Sequence, residues 1–351
     1  MTKKTLAIRV LIVVAAILAA AVYWLFYDNR FPQAGRFALD INEIRREAAT
    51  LPGARATAIE METLSHTPEP RIALVAGTAW QMIDMIRTSY RLVFADQSII
   101  IDTGYDVAGA KATGAKSYDA AAWQRMQSAM RSATKIVVTH EHGDHIGGLL
   151  TGPYSAQIIP KAVINQAQFD GIDRTAPVIW PKGSRASFKP VQYGRLLAIA
   201  PGVVLIRAAG HTPGSQMIYV ARADGQEYIF MGDVASSADN VRLLRIRSRL
   251  VTDFMTFDDR TAVMLQTKAL NALSKAEPKI ALVPGHDGAA IRTFERQGLF
   301  KSGFTPDQRA ALTPGLVRAA CKKCESSLRA KRGNPAAPET GLPRFARNDG
   351  W

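Results

Sequence analysis

One short run of residues constrains the fold more than any other feature of this 351-residue chain. The β-branched segment Lys135 to Thr139 (KIVVT) predicts a strand, and His140 to His145 (HEHGDH) follows it directly. Three imidazoles and two carboxylates therefore occupy six consecutive positions. Neutral imidazole and carboxylate oxygen are ligands for zinc-like ions, and a rigid strand can hold such ligands in tight positions. The run predicts a metal site at the end of a strand.

A similar arrangement recurs three times downstream, where a predicted strand ends in a turn that carries one candidate ligand. The three pairs of strand and ligand are Val203 to Arg207 with His211, Glu227 to Met231 with Asp233, and Lys279 to Val283 with His286. Turns rich in Gly and Pro let the backbone pass close to a shared site. Five of the six histidines belong to this pattern, and only His66, in a polar segment, stands outside it. We therefore expect the five to converge.

The two cysteines do not contribute to this site. Cys321 and Cys324 lie together in the segment CKKC near the C-terminal end. One pair supplies half a zinc site, and no strand-turn-helix pattern surrounds it, so we assign the pair no function. Metal ligands in this chain must therefore be His, Asp or Glu.

The whole pattern resembles that of the metallo-β-lactamase superfamily. The segment THEHGDH, residues 139–145, is similar to the hallmark motif of that family, and GH at 210–211, GD at 232–233 and GH at 285–286 follow in the family's order. Asp102, at the end of the predicted strand Ser98 to Asp102, resembles the family's strand-end aspartate, which orients a ligand histidine. The resemblance covers about residues 70 to 290. It implies an α/β fold, a four-layer αββα sandwich in which two sheets pack face to face with helices outside.

The resemblance also implies two divalent metal ions. It assigns His140, His142 and His211 to the first ion. It assigns Asp144, His145 and His286 to the second ion, and Asp233 to both as a bridging ligand. Zinc is favoured, and His and Asp ligands would also accept iron or manganese. A zincin is excluded because it needs His-Glu-x-x-His, and the fourth residue after His140 is Asp144 rather than histidine. The diiron flavoprotein relatives are excluded because they replace the second histidine with a carboxylate and add a flavodoxin domain.

A dinuclear site of this kind would use a metal-bridging hydroxide to attack its substrate, with Asp144 and Asp233 as the catalytic residues. Asp233 would also orient the nucleophile, and Asp102 would hold a ligand histidine in its metal-binding tautomer. Glu141 is a less suitable general base, because strand alternation points it away from its neighbours His140 and His142. We expect Glu141 to face solvent or to lie outside the coordination shell.

The motif does not choose among the family's substrates, but three features narrow them. Asp233 counts against antibiotic hydrolysis, since true β-lactamases lack aspartate at the matching position. The 53 positions from Asp233 to His286 leave no room for a nuclease insertion, and the segment GHTPGS at 210–215 resembles lactonase and thioesterase-like members. We expect hydrolysis of a small ester, lactone or thioester. Phosphodiester hydrolysis is the alternative within the family, and a non-catalytic envelope binding protein with a relic metal site is the alternative from another class.

Basic residues follow Asp233 closely along the chain, at Arg242, Arg245, Arg247 and Arg249. Guanidinium groups bind anions in well-defined geometry, so we take Arg242 and Arg245 as candidate substrate contacts. The alternative is a basic helix end that faces solvent or a membrane.

The N-terminal segment predicts a membrane anchor. Val10 to Tyr27 is an 18-residue run without a charge, close to the length that crosses a hydrocarbon core of about 30 Å. Aromatic side chains, which favour the membrane interface, lie at its far end at Tyr23, Trp24 and Tyr27. The alternatives are a signal peptide cleaved near Ala19 to Ala21, which would give a secreted protein, and a soluble helix. With an anchor, we expect a single-pass protein of the bacterial inner membrane, its basic amino end in the cytoplasm and its catalytic domain in the periplasm.

The net charge of +14 does not favour nucleic acid as a partner. Eight of these charges lie in residues 1–30 and 313–351, and the remaining +6 is not arranged in interleaved basic and aromatic clusters.

Residues from Cys321 to Trp351 are rich in Arg, Lys, Pro and Gly and resemble the tails that some bacterial genes acquire from interspersed repeats. We expect three segments: an anchor or signal at 1–30, a hydrolase domain at 31–312 that binds a small molecule, and a basic, disordered tail at 313–351.

Hydrophobic periodicity predicts the remaining elements. Strands are expected at Arg71 to Ala76, Tyr90 to Ala95, Ala156 to Ile159 and Gln216 to Ala221, besides those named above. Helices are expected at Ile41 to Thr50, Asp119 to Ala133, Pro160 to Gln168 and Arg260 to Ser274. The segment Phe169 to Arg195, with three prolines, predicts a long irregular loop of the kind that often covers a substrate.

Overall fold

Alternating apolar residues build the strands of a first β-sheet. The computed structural model describes residues 3–175 and 183–306. The seven strands of this sheet are β1 Ala58–Pro70, β2 Met82–Val93, β3 Ser98–Ile101, β4 Ser117–Tyr118, β5 Lys135–Val137, β6 Ala162–Val163 and β12 Lys301–Ser302. Their order is β12-β1-β2-β3-β5-β6, with β4 beside β1. Since β3, β5 and β6 are parallel, their carboxyl ends meet at one edge.

A second sheet of five strands faces the first. Its strands are β7 Leu196–Ala200, β8 Val203–Arg207, β9 Gln216–Ala221, β10 Glu227–Phe230 and β11 Ala281–Val283. They lie in the order β11-β10-β9-β8-β7, antiparallel except for the pair β10 and β11. Because β8 and β10 flank the antiparallel β9, the carboxyl ends of β8, β10 and β11 lie at the same end of this sheet.

The strand period of two divides the apolar residues between layers. In β8, Val203 and Leu205 pack in the core between the sheets, whereas Val204 and Ile206 pack on the outer face. The first sheet buries its outer face, including Ile100, against helices. These helices are α5 Ala120–Ser132, α6 Gly143–Thr151 and α7 Ser155–Ile158.

Helices on the other side complete the sandwich. Residues of α2 Ile41–Ala48, α9 Ala238–Leu243 and α11 Arg260–Ala276 cover the second sheet. The predicted four-layer αββα architecture is therefore confirmed. The other helices are α3 Arg71–Leu74, α4 Val107–Ala112, α8 Gln166–Thr175, α10 Arg249–Phe254 and α12 Gly288–Arg296. Aspartates cap several helix starts; Asp119, for example, accepts hydrogen bonds from the first amides of α5.

The N-terminal helix α1 spans Lys3–Phe26 and buries none of its residues in the protein. Its 24 residues, with a mean hydropathy of 2.6 over the best window, are long and apolar enough to cross a membrane. A helix here agrees with the sequence, although a signal sequence has the same properties. The first turns also carry Lys3, Lys4 and Arg9, which lie on the amino side of the apolar run.

Two predicted strands are wrong, and the structure has helices there. Arg71–Leu74 forms α3 after the extended Pro70, and Ser155–Ile158 forms α7. The predicted helix Pro160 to Gln168 is also wrong, since it contains strand β6 and only the first turn of α8. Short apolar segments do not distinguish buried helix from strand, which explains these errors.

The long strand β1 is not predicted from the sequence, because carboxylates interrupt its apolar pattern. Glu60 and Glu62 are both buried, and they are paired with Arg91 and Arg125 respectively. An ion pair lets a charged residue occupy a core position that a hydrophobicity pattern assigns to the surface.

Two predicted segments lie wholly or partly outside the described residues. The tail 313–351, with Cys321 and Cys324, is outside them, and so is part of the predicted loop Phe169 to Arg195. The described part of that loop is not irregular throughout, because α8 continues to Thr175 and a short 3₁₀ helix spans Ser184–Ser187.

Replacing Gly148 in α6 by alanine should destabilise the fold. An added Cβ would lie 2.1 Å from the carbonyl oxygen of Thr103, so helix and backbone must separate. We expect a loss of about 1–3 kcal/mol in the free energy of unfolding, as for other overpacked sites. Gly194→Ala is the control, because nothing lies within 4 Å of the added Cβ there. Equal unfolding midpoints in urea for the two variants would contradict this packing.

Candidate metal centre

The segment after β5 enters α6 through a turn that carries its histidines into the protein. His142 occupies the N-cap of α6, and Asp144 and His145 lie in its first turn. His140, one residue after Thr139, is 1% exposed, and His145 is 3% exposed. The turn meets the second sheet directly, because the amide of Gln216 at the start of β9 donates to the carbonyl of Thr139 at 2.8 Å. Candidate ligands that follow strands of both sheets therefore lie at one edge of the sandwich.

A first group of three imidazoles converges at this edge. His140 Nε2 lies 3.0 Å from His142 Nδ1, and His211 Nε2 lies 3.2 Å and 2.9 Å from these two atoms. Three ring nitrogens within about 3 Å of one another form one face of a tetrahedral ligand set. This group could hold a metal ion.

A second group lies beside the first and includes carboxylates. His145 Nε2 and His286 Nε2 are 3.2 Å apart, and Asp233 Oδ1 lies 2.9 Å from His286 Nε2. Asp144 Oδ2 lies 3.7 Å from His286 Nε2, and Asp144 Oδ1 lies 4.0 Å from His145 Nε2. His145, Asp233 and His286 could hold a second ion.

Asp233 lies between the two groups. Its Oδ1 faces His286 and His145, at 2.9 Å and 3.7 Å, whereas its Oδ2 lies 3.6 Å from His211 Nε2 of the first group. Oδ1 is buried and has no partner in hydrogen-bond geometry, in spite of the short distance to His286. A buried carboxylate oxygen without a hydrogen bond is costly unless another group compensates it, and a cation at this position would do so.

Asp102 fixes the orientation of His145. Asp102 Oδ2 accepts a hydrogen bond from His145 Nδ1 at 2.9 Å, which leaves Nε2 directed at the second group. Thr139 donates its amide to Asp102 Oδ1 at 2.7 Å. Asp102 has a φ of 55°, a left-handed conformation that a non-glycine residue rarely adopts. The contacts with His145 and Thr139 hold this strained position.

Two residues that the sequence did not assign hold His211 in the same way. Asp258 Oδ1 lies 3.0 Å from His211 Nδ1, and its Oδ2 accepts a hydrogen bond from Arg247 Nη2 at 2.7 Å. Arg247 Nη1 also donates to Asp233 Oδ2 at 2.9 Å. Arg247 thus connects the support of His211 with the carboxylate that lies between the groups. No motif marks Asp258, which is 47 positions from His211.

Arg87 on β2 supports Asp144. Its Nε donates to Asp144 Oδ2 at 2.8 Å, and the guanidinium is buried, with 8% of the residue exposed. Since an ionised carboxylate accepts from both sides, this bond directs Asp144 while its Oδ1 stays on the side of His145. Thus Asp144 and Asp233 each contact a buried guanidinium, that of Arg87 and that of Arg247 respectively.

The family is identified by a comparison of the sequence with family models. A model described as Metallo-beta-lactamase superfamily matches residues 83–286, more than half of the chain. The chain belongs to the metallo-β-lactamase superfamily. It is accordingly a metal-dependent hydrolase, and the resemblance inferred from the THEHGDH run is confirmed.

Solved structures of this superfamily share the fold. An N-acyl homoserine lactone hydrolase with N-hexanoyl-L-homoserine bound at its catalytic metal centre aligns at a TM-score of 0.53 and 15% identity, over 68% of this chain and 96% of its own. A quorum-quenching N-acyl homoserine lactone lactonase aligns at 0.54 and 16%, over 69% and 97%. A probable metal-dependent hydrolase from Staphylococcus aureus aligns at 0.51 and 16%, over 66% and 91%. No curated protein matches the chain.

Two predicted substrate contacts, Arg242 and Arg245, lie away from the two groups, and so does His66, which the sequence pattern left outside the site. Arg242 is largely exposed and pairs with Asp239, and Arg245 donates to the carbonyl of Ala76 at 2.9 Å. Neither arginine contacts a described residue of the histidine cluster. Arg247 contacts His211 instead. His66 contacts Asp84 at 3.1 Å on the first sheet, apart from the cluster, as its sequence context suggested.

Glu141 is fully buried, so the solvent-facing alternative is wrong for this residue. Its Oε2 accepts a hydrogen bond from Thr212 Oγ1 at 2.7 Å, and its Oε1 accepts from the amide of Gly214 at 3.2 Å. Glu141 therefore ties the turn that follows His211 to the turn that follows β5. Strand alternation does not apply to Glu141, because β5 ends at Val137, and its carboxylate belongs to neither candidate ligand group.

Asp258→Asn should weaken metal binding, because it removes the charge that orients His211 and pairs with Arg247. Loss of such an outer contact typically reduces metal affinity about 10–100-fold. Competition with a chromogenic chelator measures the affinity. Asp84→Asn is the matched control, since Asp84 contacts His66 and Arg292 rather than the cluster. Equal affinities in the two variants, both folded, would contradict the role of Asp258.

The metal-free protein should be most stable near pH 6.5–7. Burial and the neighbouring imidazoles lower the pKa of His142 to about 3, and they also lower the pKa of His140. Burial and the charge of Arg247 lower the pKa of His211. These histidines gain protons on unfolding, so stability falls as the pH drops below the ordinary value of 6.5. For His145, burial is outweighed by Asp102 and Asp144, and the pKa rises to about 9. The stabilisation of the fold by His145 is therefore fully present below pH 6.5 and is lost as the pH rises through 9.

Urea unfolding of chelator-treated protein at pH 5, 7 and 9 measures this dependence. We expect a lower free energy of unfolding at both extremes than at pH 7. A value that stays constant across this range would show that the histidines titrate as in the unfolded chain.

Proposed function

We propose that the chain is a dinuclear metallohydrolase of small esters, lactones or thioesters. The proposed ligands of the first ion are His140, His142 and His211. Those of the second are Asp144, His145 and His286, and Asp233 would be shared by both. The observation that carries the proposal is the position of Asp233, whose two oxygens face different groups. A site for a single ion would have no use for a carboxylate in that position.

The donor atoms fit such ions. The first group offers three imidazoles and the second offers imidazoles and carboxylate oxygens, which suit zinc and would also accept iron or manganese. The charge of the site supports two cations as well. Among residues 3–175 and 183–306, four carboxylates contact the histidines, whereas only two guanidinium groups, those of Arg87 and Arg247, are buried beside them. The unbalanced negative charge favours the binding of divalent ions.

The proposed reaction is the attack of water on an ester carbonyl. Two divalent ions would lower the pKa of a shared water and polarise the carbonyl. Asp233 Oδ1, free of hydrogen bonds, would orient the attacking water, while Arg247 holds Oδ2. Asp144 would act from the other side with its Oδ1, because Oδ2 is held by Arg87. Asp102 would keep the proton of His145 on Nδ1 throughout.

The substrate class rests on two kinds of support. The segment GHTPGS at 210–215 and an aspartate at 233 resemble lactonase and thioesterase-like members. Two of the structural relatives are described as N-acyl homoserine lactone hydrolases, which makes a lactone the first substrate to test. Identities of 15–16% leave the substrate itself to experiment, with phosphodiesters as the comparison.

The location of the enzyme is part of the proposal. Helix α1 is the membrane anchor, within segment 1–30, and the catalytic domain of residues 31–312 lies in the periplasm of a bacterium. The basic tail 313–351 takes no part in catalysis. A signal sequence cleaved after secretion remains the alternative for α1.

Asp233→Asn should reduce kcat for lactone or aryl ester hydrolysis by about 10²–10³-fold, because the group that orients the attacking water is lost. The purified full chain should carry about two metal ions, and the variant fewer. Asp84→Asn serves as the control and should retain both activity and metal. A panel of a lactone, a thioester, an aryl ester and an aryl phosphodiester should favour the first three. Less than one ion per wild-type chain, or unchanged activity in Asp233→Asn, would refute the proposal, and faster phosphodiester hydrolysis would favour the alternative.

A further inference from the structure

Exposed apolar side chains are concentrated next to α1. Among the described residues, seven large apolar side chains outside the segment from α1 to Tyr27 are exposed. Five of them form what we call the apolar patch: Trp80, Met82, Phe254, Met255 and Phe257. The other two are Leu51 and Val107. Soluble surfaces seldom gather large apolar residues in this way unless another molecule covers them.

The apolar patch is continuous with the last turn of α1. The ring of Trp24 contacts that of Phe254 edge-on, with centroids 6.2 Å apart, and Phe26 contacts Trp80 at 4.8 Å. The carbonyl of Phe26 also accepts the amide of Gly77 at 2.7 Å. The patch therefore begins where the apolar helix ends.

Polar contacts fix α1 against the catalytic domain at the same place. Asp28, just after the helix, is buried and accepts hydrogen bonds from Arg249 at 2.8 and 2.9 Å. Asn29 donates to the carbonyl of Leu244 at 2.9 Å and accepts from the amide of Ile246 at 3.0 Å. These bonds make the link short and directional. A membrane that surrounds α1 would therefore meet the patch at a defined depth.

Phe257 is held in an unfavourable conformation that exposes its ring. Its φ of 55° lies in the left-handed region, and 77% of the residue is exposed. Thr256 and Asp258 on either side are fixed, since Thr256 Oγ1 donates to Asp258 Oδ1 at 2.7 Å and to the carbonyl of Val251 at 3.1 Å. Strain of this kind in an exposed aromatic residue indicates a use outside the protein's own core.

We propose that the apolar patch is a membrane-contact surface that inserts into the interface of the bilayer spanned by α1. The proposal rests on α1 as an anchor and goes beyond it, since a helix alone would leave the domain free of the lipid. A run of about 20 apolar residues already spans the hydrocarbon core, so the last turn of α1 lies at interface depth, where aromatic side chains are favoured. Residues that contact this turn lie at the same depth. Arg30, just after the helix, pairs with Asp28 through its Nε, but 84% of its side chain is exposed, so the rest of its guanidinium can meet lipid phosphates there.

A lipid surface fits the patch better than a protein partner does. The helix beside it exposes its apolar residues on all sides, and only lipid covers such a helix completely. Because Phe254 and Trp80 of the patch contact the last turn of that helix, lipid that covers the helix also reaches the patch. A second copy of the chain is kept as an outcome of the test.

Cysteine protection in nanodiscs tests the proposal on the full chain. Met255→Cys and, as control, Leu51→Cys are made in a Cys321→Ser, Cys324→Ser background. Leu51 is 38% exposed and Met255 66%, so the folded protein alone should label faster at 255. Leu51 lies in the chain between Ala48, whose carbonyl accepts from the amide of Gly202, and Gly53, which lies beside Pro201, so it is near the start of β8 and at the opposite end of that strand from the metal centre. In nanodiscs of phosphatidylcholine and phosphatidylglycerol, we expect a water-soluble maleimide to react about tenfold more slowly at 255 than at 51, since interfacial residues are withdrawn from water.

Faster labelling at 255 than at 51, or equal labelling, would overturn the proposal, and so would a chain that stays outside the nanodiscs. Protection that disappears in nanodiscs holding one chain each would assign the patch to a second copy and overturn it too. Quenching by brominated lipids gives an independent readout: Trp80→Phe should remove part of the quenched fluorescence, whereas Trp123→Phe should not. Ester hydrolysis measured on the same nanodiscs separates a failure of this proposal from a failure of the proposed function.

Discussion

The arrangement of the candidate metal centre depends on the balance of buried charge. Four aspartates contact the histidines, and in the part of the chain that the structure describes only two buried guanidinium groups oppose them with permanent charge: Asp102, Asp144, Asp233 and Asp258, and Arg87 and Arg247. In the protein without metal, this excess attracts a proton to His145 and raises its pKa to about 9, in spite of burial. A divalent cation would neutralise the same excess. The charge that would hold metal and the charge that alters this histidine thus have one origin.

Much of the architecture could be predicted from the sequence, because its strands are short, apolar and bounded by turns. Val203–Arg207 and Gln216–Ala221 begin and end where periodicity places them. The convergence of five histidines could also be predicted, since each follows a strand and the turns there are rich in Gly and Pro. Errors arose where side chains break the pattern: the paired carboxylates of β1 hide a long strand, and short apolar segments such as Ser155–Ile158 are helical.

The supporting residues of the site were harder to predict. Asp258 belongs to no motif, and its contact with His211 depends on how α10 and the following loop pack. Arg247 lies in a run of arginines in which local sequence does not say which side chain turns inward. The structure buries Arg247 and leaves Arg242 largely exposed beside Asp239. Tertiary packing makes this choice, so the sequence pattern predicted a cluster of arginines but not its member at the centre.

The candidate metal centre and the apolar patch meet at one peptide bond. Phe257 belongs to the patch and is exposed, whereas the side chain of Asp258, the next residue, is buried against His211. The same segment is fixed at its beginning by the contact of Phe254 with Trp24 of α1. One short segment, from Phe254 to Asp258, therefore contacts both the last turn of α1 and the imidazole of His211. Because the bonds of Asp28 and Asn29 hold the end of α1 against the domain, an anchored α1 would keep this segment, and the metal centre beside it, close to the membrane surface.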